Sequence, residues 1–183
     1  MLSGEKCLII KDHKGLSNMT YLQKLRKEFG DFQIFKDEIK NLEDMFKLGN
    51  YFQLIIIAPQ LLEKIVAKID ENGSEYIIRK MGEPDKDTLE VGRLYNKLIQ
   101  EETIKARVAL YLVDLFENDY SEYSFSKKEF VKYFTKLESI IACRNDLAHE
   151  YYKRHISSQK IKRAAKESLE LVELMSLHPS LSY

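Results

Sequence analysis

SKKEFVKYFTKLESIIACRNDLAHEY, from Ser126 to Tyr151, is the stretch that most constrains the fold, because it lacks glycine and proline and repeats its apolar residues at helical spacing. Ser126 and Glu129 have the spacing of a capping box, which predicts that a helix begins there. Steps of four and three residues then mark a buried stripe. The stripe consists of Tyr133, Leu137, Ile140, Arg144, Leu147 and Tyr151.

The stripe changes character at Arg144, where an aliphatic side chain is expected. Asn145 interrupts the neighbouring row, between Ile141 and Ala148. A polar group on an apolar face is unfavourable unless it is bonded, lies at an interface or lines a site. One interpretation is that Arg144 and Asp146 pair with other helices, and the other is that they belong to a functional site.

The rest of the second half also predicts helices, because residues 93–178 contain neither glycine nor proline. One helix is expected to include Val108, Tyr111 and Leu115. A last helix is expected to begin near Ser158 and to end before Pro179. Residues 85–183 are therefore predicted to form a bundle of three or four helices.

The first half has a different pattern, with six of the seven glycines and short apolar runs between helical patterns. This alternation favours a small parallel α/β (Rossmann-like) domain over residues 1–84, with Pro59 in the first turn of a helix. The alternative makes residues 32–46 one helix and residues 51–69 another, with Pro59 as a kink. The predicted strands are Lys6–Asp12, Asp31–Asp37, Tyr51–Ala58 and Ser74–Met81.

The composition excludes several classes of protein. No apolar run approaches the ~20 residues of a membrane span, and the N-terminus does not have the pattern of a secretory signal. Two cysteines, Cys7 and Cys143, are too few for a disulfide framework or a thiolate zinc site. We therefore expect a protein of the reducing cytoplasm, with no membrane partner.

The net charge is zero, but its distribution is uneven. Between Lys127 and Lys166 there are 11 Lys/Arg against 4 Asp/Glu, a balance of +7. The remaining residues hold 18 basic and 25 acidic groups, a balance of −7. A basic segment of this kind indicates an anionic partner such as nucleic acid, although a solvated helix face has the same composition.

The residues from Arg144 to His149, RNDLAH, resemble the R-x4-H motif of HEPN domains, helical bundles of which many are metal-independent ribonucleases. With Tyr151 the motif becomes R-x4-H-x-Y, the form of HEPN toxins that are paired with nucleotidyltransferase antitoxins. The resemblance covers about residues 85–183. It implies RNA cleavage by attack of the 2′-hydroxyl, which leaves a 2′,3′-cyclic phosphate, in defence or toxin–antitoxin biology.

The resemblance assigns roles to the residues of the motif. His149 is expected to transfer protons near neutral pH, and Arg144 to stabilise the charge on the phosphorane. Asn145, Asp146 and Tyr151 are expected to support them, and neither a metal nor a cofactor is implied. The basic residues expected to line the RNA path are Lys153, Arg154, Lys160, Lys162 and Arg163.

Positions 144 and 149 are five residues apart, so they point about 140° apart on one helix. The resemblance suggests a homodimer that brings two motifs to a shared cleft. It also suggests a regulator, either a nucleotidyltransferase that adds AMP to Tyr151 or a nucleotide that binds a sensor domain within residues 1–84. Two alternatives remain: Tyr151 is a stripe aromatic, and the bundle is a non-catalytic nucleotide- or protein-binding module.

Overall fold

The structure is a computed structural model that describes residues 19–72, 103–117, 125–150 and 156–181. Within these ranges the chain forms six α-helices and two short 3-10 helices, at residues Gly30–Phe32 and Pro179–Leu181. The α-helices are α1 (Tyr21–Phe29), α2 (Lys36–Lys47), α3 (Tyr51–Glu71), α4 (Ile104–Glu117), α5 (Lys127–Glu150) and α6 (Ser158–Ser176).

The predicted parallel α/β domain is wrong for every described residue of the first half, where no strand occurs. Tyr51–Ala58 is the beginning of the 21-residue helix α3, and Asp31–Asp37 passes from a 3-10 turn into α2. A continuous apolar run has neither a strand period nor a helical one, so its length and surroundings decide its structure. The other two predicted strands, residues 6–12 and 74–81, lie outside the described residues.

Helix α3 is apolar around most of its circumference because α2, α4, α5 and α6 all pack against it. Its buried residues include Leu54, Ile55, Leu62 and Ile65. Pro59 lies inside this helix rather than in its first turn. Its missing N–H leaves the Ile55 carbonyl without its usual helical donor, a local loss that the burial of the surrounding side chains offsets.

The helices of the second half follow their sequence signals. In the predicted capping box, the Glu129 N–H donates to Ser126 Oγ at 3.3 Å, and the Ser126 N–H donates to Glu129 Oε2 at 3.2 Å. Helix α6 begins after Ser157, whose side chain accepts a hydrogen bond from the Lys160 N–H at 3.2 Å. Both predicted helix starts are confirmed.

Helix α6 connects the bundle, because it packs on α3 along one side and on α5 along the other. It runs parallel to α3: Lys162 lies over Tyr51 at their starts, and the Asn72 side chain donates to the Ser180 carbonyl beyond their ends. It runs antiparallel to α5. The predicted domain boundary near residue 84 lies outside the described residues, and helices from both sides of it share one apolar core.

A tight connection joins α2 to α3. Gly49 has a φ of 79°, and its N–H donates to the Phe46 carbonyl at 3.1 Å. The Asn50 N–H donates to the Met45 carbonyl at 2.9 Å. These are the two hydrogen bonds of a Schellman motif, with glycine at the left-handed position. The backbone of this corner is therefore held by the end of α2 itself.

Among the described helices, none combines the length and the apolar character that would be needed to cross a bilayer.

Candidate functional site

The C-terminal half of α5 carries the motif residues at the edge of the core. Its buried stripe runs through Ile140, Cys143 and Leu147, each at most 3% exposed, so Cys143 fills the core position that the sequence assigned to Arg144. Arg144 is half-buried beside it, and Asn145 is exposed. The buried stripe follows the α-helical period of about 3.6 residues rather than the period of about 3.5 residues used for the sequence. The Arg144 side chain therefore lies at the margin of the core and reaches the surface.

The guanidinium of Arg144 makes no ion pair or hydrogen bond to the residues that the structure describes. A half-buried guanidinium is partly shielded from water, so an anion placed against it would be bound more strongly than by a fully solvated cation. Five N–H donors in a planar fork match two phosphate oxygens. The described part of the chain therefore leaves this group available to a ligand.

His149 belongs to the same helix, because α5 continues without interruption to Glu150. Positions 144 and 149 are thus about 140° apart around one axis, as the sequence predicted. Position 149 lies about one turn beyond Asp146 on the same helix. A single α5 therefore does not bring the two motif positions to one point.

Asp146 pairs with another helix, as one of the two interpretations of the sequence predicted. Its Oδ2 lies 2.7 Å from Lys160 Nζ, an ion pair between α5 and the first turn of α6. The sequence assigned Asp146 to the support of His149 and Lys160 to RNA. The structure joins the two to each other, which fits the interpretation that this part of the motif pairs with another helix. The side chains are 36% and 52% exposed, so water and ligands can compete for the contact.

The other predicted RNA-binding residues divide into three groups. Arg163 is paired along α6, with its Nε 2.9 Å from Glu167 Oε1. Lys162 points to the other flank of α6, where its Nζ lies 5.8 Å from the centroid of the Tyr51 ring. Lys153 and Arg154 lie outside the described residues, as does Tyr151, which was expected to support the motif.

Cys143 lies among these charged groups but is not exposed to solvent. Burial raises the pKa of its thiol, the nearby Lys160 lowers that pKa, and Asp146 and Glu167 raise it. A buried thiol with a raised pKa is a poor nucleophile at neutral pH. The described residues also contain no group of three or more His, Cys, Asp or Glu side chains placed to hold a metal ion.

Comparisons of the chain with protein-family models, with curated proteins and with solved structures returned no match.

The sequence alone does not predict that aromatic residues adjoin this region. Tyr51 and Phe52 begin α3, next to Lys162 of α6. They were interpreted as the start of a strand. Once Tyr51–Ala58 is known to be helical, the two aromatic residues directly after the Gly49–Asn50 turn indicate that the helix begins at the surface.

Proposed function

We propose that this chain is a metal-independent RNA endonuclease of the HEPN type, acting as a homodimer in the cytoplasm, in defence or toxin–antitoxin biology. The observation that carries the proposal is the placement of the motif. Arg144 is half-buried and makes no ion pair to the described residues. His149 follows on the same continuous helix, within the most basic part of the chain.

The proposed reaction breaks the bond between phosphorus and the 5′-oxygen. The 2′-hydroxyl of the preceding nucleotide attacks the phosphorus, and a His149 imidazole accepts its proton. Negative charge grows on the non-bridging oxygens of the phosphorane, where the Arg144 guanidinium stabilises it. A protonated imidazole or water gives a proton to the leaving 5′-oxygen. The products are a 2′,3′-cyclic phosphate and a 5′-hydroxyl.

The separation of positions 144 and 149 around α5 supports a site made by two chains. In a twofold dimer, any contact between Arg144 of one protomer and His149 of the other occurs twice. Such a site needs the C-terminal halves of two α5 helices to face each other. We infer that dimer formation completes the catalytic centre.

The first test is cleavage of a 5′-labelled RNA in EDTA by the wild type, Arg144→Ala and His149→Ala. We expect the wild type alone to cut, giving cyclic-phosphate ends. Arg26→Ala is the matched control, because it removes an exposed arginine of α1 that pairs with Glu173 and lies outside the basic segment. It should retain most of the activity. Equal cleavage by all four proteins would contradict the proposal.

A second test asks whether the site spans two protomers. Arg144→Ala and His149→Ala are each expected to be inactive, but mixed dimers would contain one site with both native residues. Mixing equal amounts should therefore restore about one quarter of the wild-type activity. No restoration, with mixed dimers shown to form, would place both residues of each site on one chain.

A folded, dimeric wild type that binds RNA in these assays without cutting it would contradict the nuclease proposal. The chain would then act as a binding module that uses the same helix end.

A further inference from the structure

A small cavity opens between helices α2 and α3 and has a volume of about 170 Å³. Each helix lines it with residues at positions i, i+3, i+4 and i+7, which form one face of a helix. The apolar members are Leu42 and Met45 of α2 and Ile57 and Leu61 of α3. Leu42 and Leu61 are buried, whereas Met45 and Ile57 are half-buried. The α2–α3 cavity therefore has an apolar floor that remains open to solvent.

Polar side chains surround this floor. They are Glu38 and Asn41 of α2 and Gln60 and Lys64 of α3, and all four are exposed. None of the four forms an ion pair or a hydrogen bond with any residue in the described part of the chain. The fold does not use these groups, so they are available to a ligand.

The two charged members of this set have opposite signs and lie on opposite sides of the cavity. Glu38 belongs to α2 and Lys64 to α3. The two helices fold back on each other through the Gly49–Asn50 turn, and these two residues are the lining residues furthest from that turn. They therefore lie at the same end of the cavity. Because they do not pair with each other, a ligand can enter between a carboxylate and an ammonium group.

The volume restricts what the cavity can hold. Pockets for cofactors and other large ligands typically have ~300–1,000 Å³. An apolar cavity of about 150 Å³ holds a molecule of the size of benzene. A docked helix would need several such hollows in a row, one for each anchoring side chain. A volume of about 170 Å³ therefore fits a single aliphatic side chain.

We propose that the α2–α3 cavity is a binding site for a free α-amino acid with an aliphatic side chain, such as leucine. The side chain of the ligand lies on the apolar floor, its ammonium group pairs with Glu38, and its carboxylate pairs with Lys64. A simple amine would leave Lys64 unpaired, and a simple carboxylate would be repelled by Glu38, so a zwitterion matches both charges. The proposal is independent of the proposed nuclease activity.

The expected affinity is modest. The charged groups stay in contact with water, where an ion pair contributes little, so most of the binding comes from one side chain that leaves water. We therefore expect a dissociation constant of about 1–10 mM for leucine. A chemical-shift titration of the isotope-labelled full-length protein by NMR measures affinities in this range and identifies the residues that respond.

Ligand analogues separate the contributions of the side chain and the two charges. Leucine should cause saturable shifts in amide signals of α2 and α3 around the cavity. Glycine, which lacks the apolar side chain, should bind at least about tenfold more weakly. Leucinamide lacks the carboxylate and N-acetylleucine lacks the ammonium group, so each should bind about three- to fivefold more weakly than leucine. Equal binding of leucine and both analogues would overturn the proposal.

Variants of the charged residues provide the second measurement. Lys64→Ala and Glu38→Gln should each weaken leucine binding about three- to fivefold. Lys40→Ala and Asp37→Asn are the matched controls, because these exposed residues of α2 do not line the cavity, and they should not change the affinity. All four positions are exposed, so the far-UV circular dichroism of the variants should match the wild type. In Lys64→Ala, leucine and leucinamide should bind equally, since the partner of the carboxylate is gone.

Saturable shifts that are confined to α2 and α3 and weakened in both variants would support the proposal. Shifts that do not saturate by ~50 mM leucine, several times the expected constant, would overturn it. Full affinity in both Lys64→Ala and Glu38→Gln would also overturn it, because leucine would then bind elsewhere. The titration contains no RNA, so none of these outcomes changes the standing of the nuclease proposal.

Discussion

The two ends of the α3–α6 pair treat charge in opposite ways. Beyond their C-termini, His178 and Asp114 are both fully buried, with Nε2 of His178 3.2 Å from Oδ2 of Asp114. The Ser180 N–H donates to Nδ1 of the same ring at 3.3 Å, so both ring nitrogens face protein atoms. At the N-terminal end of α6, Asp146 and Lys160 are paired in contact with water.

The comparison shows at which end a charged pair stabilises the fold and at which end it stays accessible to a ligand. A buried carboxylate that loses its partner remains in an apolar surrounding, and the native state is strongly destabilised. An exposed pair contributes little, because water replaces each partner. The buried His178–Asp114 pair therefore holds the C-terminal segment on the bundle. At the N-terminal end of α6, which we call the motif end, the Asp146–Lys160 ion pair can be exchanged for a phosphate contact.

The largest expected effect comes from the buried end. Asp114→Ala should lower the free energy of unfolding by about 1–3 kcal/mol, because Nε2 of the buried His178 loses the carboxylate that lies 3.2 Å away. Urea denaturation followed by circular dichroism measures the change. Asp44→Ala is the matched control, since Asp44 is 51% exposed and pairs with Lys47 at the surface. A decrease of less than about 1 kcal/mol in the free energy of unfolding of Asp114→Ala would mean that the buried pair stabilises the protein no more than an exposed pair does.

A second test of the same contrast creates a charge in the core by ionising the Tyr133 hydroxyl. Burial raises the pKa of Tyr133 far above its ordinary value of 10.0, and Glu170, Glu129 and Glu173 add to the shift. Above pH 10 the unfolded chain has released this proton while the native chain retains it. The free energy of unfolding should therefore fall by about 1.4 kcal/mol per pH unit from this residue.

Urea denaturation between pH 9 and pH 11.5 tests this expectation. Tyr133→Phe removes the ionisable group and keeps the ring, so its stability should fall less steeply than that of the wild type as the pH rises. Parallel slopes for the two proteins would show that the Tyr133 hydroxyl reaches water in the native state.

The smallest effect on stability is expected at the motif end. Lys160→Ala should change the free energy of unfolding by less than about 1 kcal/mol, because its pair with Asp146 is exposed. It should nevertheless lower RNA affinity and reduce the slope of log affinity against log salt by about 0.7, the value for one phosphate contact on a single strand. Asp146→Ala should strengthen binding, because it removes a carboxylate that repels the phosphates. Weaker binding in both variants would mean that the pair acts as a unit.

The sequence predicted the second half of the chain more reliably than the first. Ser126, Glu129 and Pro179 are local signals, and a helix cap acts through neighbouring residues, so the starts of α5 and α6 and the end of α6 followed from the sequence. Tyr51–Ala58 contains no such signal. Its apolar residues suit a buried strand and a buried helix equally, and only the other helices packed around α3 select between them.

The candidate site was predictable in composition but not in its contacts. Arg144 and His149 were found from their spacing in the sequence. The Asp146–Lys160 pair depends on the antiparallel packing of α5 and α6, and the approach of Lys162 to Tyr51 depends on the parallel packing of α3 and α6. These relations join residues far apart in the sequence, and no local pattern encodes them.

The alternating helix directions have an electrical consequence. At the motif end, α2 and α5 finish while α3 and α6 begin, so two negative and two positive ends of helix macrodipoles lie close together and largely cancel. The electric potential that an approaching polyanion meets there is therefore set mainly by charged side chains. Substitutions of single lysines or carboxylates can adjust it without altering any helix.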